Sequence, residues 1–176
     1  PAEQEIDSMD AIGTKTGTAT SVALNEFDYL EGTGAIQAVF TDAGLYIGDS
    51  FAAALDITDY LNGVAVVPLN FTDASKISSV QLRLETSASA YYAVISTSDS
   101  IGDNFINGWN LVRFALANKT TTGSPAVTNI LSWKLYITLT SGQTQTIIID
   151  RISLQKAVAH MFEYYSNLLF LDGTTG

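Results

Sequence analysis

The chain has 176 residues, 47% hydrophobic and 15% charged, which suits one folded domain with a real core and excludes a disordered chain. Its 18 acidic against 8 basic residues give a formal charge of −10, which argues against nucleic acid and anionic membranes as partners. With no cysteine and a single histidine, His160, disulfides, thiolate chemistry and histidine-cluster metal sites are excluded, and a Ser-His-Asp triad is disfavoured.

Residues 1–21 read as an N-terminal arm. Strand signals then recur at short intervals: Val22–Leu24, Gly34–Phe40, Leu45–Gly48, Phe51–Ile57 and Val64–Phe71. Pro68 cannot donate to a ladder, so its strand is expected at an edge or with a bulge. In Ile77–Glu85, Val80, Leu82 and Leu84 point one way, and Gln81, Arg83 and Glu85 the other. Ala90–Ser96 and Trp109–Leu116 follow. Asn129–Leu139 puts Leu131, Trp133, Leu135, Ile137 and Leu139 on one face, and Ser132, Lys134, Tyr136 and Thr138 on the other. A turn at Ser141–Thr144 leads into Ile147–Leu154 as a hairpin.

In that last strand, strict alternation puts Asp150 on one face with Ile148, Ile152 and Leu154. A buried carboxylate needs a partner. The candidates are loop amides, Arg113 or Arg151, or a cation. Short strands separated by Gly, Asp, Asn and Ser turns define an all-β antiparallel sandwich or barrel over residues 22–155. No apolar run approaches the ~20 residues of a membrane-spanning helix, so membrane insertion is not expected.

Residues 156–176 depart from this pattern. Val158, Met161, Phe162, Tyr165, Leu168 and Leu169 recur at helical spacing. They form the candidate interface of a short helical or extended arm that contacts a partner or continues into further chain. The chain begins at Pro1 and ends on Gly-Thr-Thr-Gly, which suggests a processed product or a piece of a longer polypeptide.

Six stretches in order resemble galactose-binding-like jelly-roll domains: FDYLEGTGAI (27–36), ALDITDYL (54–61), KISSVQLRL (76–84), GWNLVRFAL (108–116), NILSWKLYITL (129–139) and IIIDRISL (147–154). The resemblance implies an antiparallel jelly-roll β-sandwich of the carbohydrate-binding-module type. Such domains are also embedded in tailed-bacteriophage structural proteins, and FEYYSNLLFLDGTTG (162–176) is similar to a segment that follows the domain there.

The same resemblance implies a structural calcium ion held by Glu31 and Asp150; Asp42, Asp49 and Asp56, in loops or at strand ends, are spare candidates. It also implies a glycan surface of exposed aromatic and polar side chains. Tyr91, Tyr92 and Tyr136 with Arg83 and Lys134 are the ligand-binding candidates, and Trp109 and Arg113 are further ones. The main functional expectation is a non-enzymatic structural component of a phage virion, a capsid- or tail-associated, decoration or adhesion protein. It would act through contacts with other virion subunits in a homo- or hetero-oligomer. The alternative is a carbohydrate-binding module for cell-surface glycans, and the second alternative an accessory domain of a larger enzyme.

Overall fold

A computed structural model describes residues 3–41 and 45–157. Alternation of apolar side chains turns one face of most strands into a shared core. The strands are β1 (Glu3–Asp7), β2 (Thr16–Gly17), β3 (Thr20–Asn25), β4 (Ala35–Thr41), β5 (Leu45–Leu55), β6 (Val64–Phe71) and β7 (Ile77–Ser87). They continue as β8 (Ala90–Ser96), β9 (Gly108–Ala115), β10 (Thr120–Thr122), β11 (Ile130–Leu139), β12 (Thr144–Ile149) and β13 (Ile152–Gln155).

Two sheets face each other. One has the order β1-β13-β6-β12-β4-β3, with β9 on the other edge of β6, and the second runs β10-β8-β7-β11-β5-β2. Every pairing is antiparallel, and the chain crosses between the sheets repeatedly, from β4 to β5, back to β6, and on to β7. This is the antiparallel jelly-roll sandwich that the family resemblance implied. Ile36, Phe40, Val67, Leu69, Phe71, Ile147 and Ile149 from the first sheet meet Ile47, Val80, Leu82, Leu84, Trp133, Leu135 and Ile137 from the second, all buried. Burying each such side chain contributes roughly 1.5–3 kcal/mol before entropy is counted.

Several sequence expectations need correction. β6 is interior, with β9 on one side and β12 and β13 on the other. Pro68 is tolerated because a strand residue turns its nitrogen and carbonyl the same way. Its carbonyl accepts from Asp150 N at 3.1 Å, so its missing N–H faces the gap between β12 and β13. That gap also breaks the alternation. The core-facing residues are Ile147 and Ile149, then Ile152 and Leu154, so the phase slips by one at Asp150–Arg151. Asp150 therefore does not sit in an unbroken apolar row with Ile148, Ile152 and Leu154.

Leu131 leaves the core face as well. The register of β11 on β5 shifts between Ile130 and Ser132, which buries Ile130 and leaves Leu131 42% exposed.

The segment read as an N-terminal arm is built into the sandwich. β1 pairs with β13, β2 pairs with β5, and Met9 is fully buried. Lys15, almost wholly buried, bridges Asp7 and Asp49 at 2.8 and 3.2 Å, and Trp133 Nε1 donates to Asp7 Oδ2 at 3.2 Å. The interface residues Val158, Met161, Phe162, Tyr165, Leu168 and Leu169 lie outside the described residues.

Candidate functional site

β5, β7, β8 and β11 turn alternate residues away from the core, and their registers align these across the sheet. Lys134 lies opposite Arg83 on one side and Gly48 on the other. One row along, Tyr136 lies opposite Gln81 and Tyr46, and Gln81 opposite Ile95. In the row on the other side, Glu85 lies opposite Ser132 and Tyr91. The outer face of the six-stranded sheet thus gathers Tyr46, Tyr91, Tyr136, Arg83 and Lys134.

The Arg83 guanidinium is clamped. It lies 4.5 Å from the Tyr91 ring centroid and 4.1 Å from that of Tyr136. Its Nε donates to Gln81 Oε1 at 2.8 Å and its Nη1 to the Tyr136 hydroxyl at 3.2 Å. Stacked and hydrogen-bonded, it has given up much of its rotamer freedom before any ligand arrives. Lys134 Nζ lies 2.8 Å from Glu85 Oε2 and 5.1 Å from the Tyr46 ring centroid. The Tyr46 and Tyr136 rings lie 4.9 Å apart at 36°.

Burial alone would lower the Lys134 pKa, but the Glu85 carboxylate outweighs it and the net shift is upward from 10.5. Burial pushes the Tyr136 phenol above 10.0 against the pull of Arg83 and Lys134, so it stays neutral near pH 7.

Two shallow clefts flank this ridge. One, of about 260 Å³, lies between Gln81, Arg83, Ile95, Tyr136 and Thr138. The other, of about 340 Å³, opens over Gly48 between Tyr46, Ser50, Glu85, Ser132 and Lys134. Gly48 is required there, since a Cβ would run into the Trp133 carbonyl and the Lys134 stem. Ring faces, a fixed forked cation and amide and hydroxyl groups on one sheet face can hold a ligand that offers an apolar ring face with polar edges.

Of the candidates, Arg83, Tyr91, Lys134 and Tyr136 are therefore together on this face, and Tyr46, which was not a candidate, joins them. Tyr92 does not belong. It turns inward opposite Leu84, is 8% exposed, and donates its hydroxyl to the Pro125 carbonyl. Trp109 and Arg113 lie on the outer face of the other sheet, where Trp109 Nε1 donates to Asp28 Oδ1.

Glu31 and Asp150 do not fit a shared calcium. Asp150 Oδ2 accepts from Leu30 N at 2.6 Å and Glu31 N at 2.9 Å, and Oδ1 accepts from Arg151 N at 2.7 Å. Those donors would turn their positive ends toward any cation on the carboxylate. Both Glu31 carboxylate oxygens are on Arg151 Nη1, at 2.7 and 2.6 Å. Among the spare ligands, Asp49 is paired with Lys15, Asp56 accepts from Thr58, and Asp42 lies outside the described residues. Among the described residues no group of three acidic or histidine side chains is placed to hold a metal.

No family profile matches the chain, and no curated protein matches it in sequence. Solved structures do match in fold. A family 11 carbohydrate-binding module of the cellulosomal cellulase Lic26A-Cel5E of Clostridium thermocellum is 11% identical. It superposes at a TM-score of 0.63, covering 90% of this chain and 97% of the module. A structure of a Clostridium thermocellum family 11 module in complex with a β-1,3-1,4-mixed-linked tetrasaccharide matches at the same TM-score, 0.63, with 11% identity, covering 90% of this chain and 98% of that one. A family 30 module of the cellulase Cel9D-Cel44B of the same organism is 8% identical, with a TM-score of 0.62 over 89% of this chain and 99% of that one. The fold is the jelly roll of these carbohydrate-binding modules. The expectation of a phage virion component gains no support from these matches.

Proposed function

We propose that the chain is a carbohydrate-binding module that holds a glycan across the outer face of its six-stranded sheet. The observation that carries this is the convergence of Tyr46, Tyr91, Tyr136, Arg83 and Lys134 from four strands onto one face, between two clefts. Tyrosine rings offer flat surfaces to the C–H faces of sugars, while Arg83, Lys134 and Gln81 offer hydrogen bonds to hydroxyls. The likeness to modules of families 11 and 30, one holding a tetrasaccharide, supports the reading. Binding without turnover is part of the proposal, and an assay for released reducing ends on each bound polysaccharide tests it.

Affinity electrophoresis and calorimetry against soluble polysaccharides test the binding itself. Tyr46→Ala and Tyr136→Ala are each expected to weaken binding about tenfold or more, the scale of one lost specific contact. Arg113→Gln, on the other sheet, should leave it unchanged. Retained affinity in both tyrosine variants, with cooperative melting intact, would remove the site from this face.

The accessory-domain reading is favoured by one further match. This chain covers 25% of an agarase, AgWH50C, with a TM-score of 0.57 and 9% identity, so the same fold occurs inside a larger enzyme. The full-length gene would decide whether a catalytic domain adjoins this one.

A further inference from the structure

The eight basic side chains of this acidic protein are not treated alike. Lys15 lies between Asp7 and Asp49, Lys76 beside Asp73, Lys134 beside Glu85, Lys156 beside Asp59, and Arg151 among Glu3, Glu5 and Glu31. Arg83, Arg113 and Lys119 have no carboxylate within ion-pair reach among the described residues, and of these three only Arg83 is gathered on the tyrosine-bearing face. Its clamp is made of neutral groups: the Gln81 amide, the Tyr136 hydroxyl and the faces of two tyrosines. The nearest acid along its own strand, Glu85, is buried and committed to Lys134.

The clamp uses Nε and one N–H of Nη1. A second Nη1 hydrogen and both Nη2 hydrogens have no partner among the described residues. The Nη1–Nη2 edge of a guanidinium is a fork that matches the two oxygens of a carboxylate. Arg83 also lines one of the two clefts, so this cation borders the space a ligand would fill. A neutral sugar seated there offers hydroxyls to the guanidinium but no opposite charge and no bidentate match. A carboxylate supplies both.

We infer that Arg83 reads a carboxylate, and that the glycan taken by this face carries uronic-acid residues. The inference rests on the proposed glycan-binding function. In it, a tyrosine takes the ring of a uronate while Arg83 takes its carboxylate. The Lys134–Glu85 pair beside it is already matched in charge and leaves Arg83 as the anion-selecting group.

The test is calorimetry on the full chain, in buffer containing a chelator so that no metal bridges two anions. The probes are hexamers of galacturonate, mannuronate and glucuronate, each with its carboxyl-reduced counterpart, plus a mixed-linked β-glucan and a sulfated galactan. At least one uronate should bind about tenfold more tightly than its reduced form, the scale of a charge-assisted hydrogen bond. R83Q should close that gap while its melting stays cooperative. Equal affinity for the charged and reduced forms, or binding of only the neutral or the sulfated glycan, overturns the inference and leaves the glycan-binding reading standing. Binding to no glycan of any class overturns both. The comparison of charged with reduced ligand uses the unaltered protein, so it holds even if R83Q folds poorly.

Discussion

Asp150 shows how a single buried charge is tolerated. Its carboxylate is fully buried and accepts three backbone N–H groups, two from the loop before β4 and one from Arg151. It ties that loop to the break between β12 and β13. Asp150→Asn would put an NH2 group against one or two of those donors and is expected to cost about 2–3 kcal/mol in urea unfolding. Glu31→Gln touches a side chain that is 60% exposed and should cost under about 1 kcal/mol. Adding calcium or a chelator should leave the unfolding midpoint unchanged; a rise with calcium would show that the amide account of Asp150 is incomplete.

The N-terminal segment is the element whose role the sequence least announced. Its strands are short, five residues in β1 and two in β2, and lack a clean apolar alternation. What holds it is a polar network. Lys15 spans β1 and β5 through Asp7 and Asp49, and Trp133 of β11 donates to Asp7. Removing the shared cation leaves two aspartates facing each other in a partly buried place. Lys15→Met should destabilise by about 3 kcal/mol, the lower end for a broken buried ion pair, and should raise amide exchange in β1 and β2 before the central strands. Uniform exchange across both sheets would argue against the network as the local tether.

For the whole molecule, the excess of carboxylates sets the response to acid. The backbone N–H of Thr33 holds the Asp10 carboxyl below its ordinary 3.8, with burial opposing. Burial pushes Asp49 up, but the Thr14 hydroxyl, the Ser50 amide and Lys15 outweigh it and the net is downward from 3.8. A carboxyl whose folded pKa is depressed stabilises the fold above its unfolded value, and that stability is lost as pH falls through the folded value. Urea midpoints should therefore be steady at pH 5–7 and decline below about pH 4, and Asp10→Asn should make the decline shallower. An undiminished decline in that variant would assign the acid sensitivity elsewhere.

Much of the candidate site is legible in the sequence. Period-two alternation in Ile77–Glu85 and Asn129–Leu139 is a local property of an extended backbone, so it suffices to turn Arg83, Lys134 and Tyr136 outward and Leu82, Trp133 and Leu135 inward. The same composition and alternation determined an all-β antiparallel sandwich or barrel. Only the tertiary structure decided which strands lie side by side. β5 pairs with β11 from some ninety residues away, and that register alone brings Tyr46 against Tyr136. Strand order also placed β6 in the interior despite Pro68, and sent Trp109 and Arg113 to the opposite face from Arg83. Tyr92 and Tyr91 are adjacent and alike, and the register on β7 made one core and the other surface. At Asp150 a one-residue slip reversed the face that alternation predicts, because pairing partners are chosen by closure of the whole sandwich and not by the strand itself.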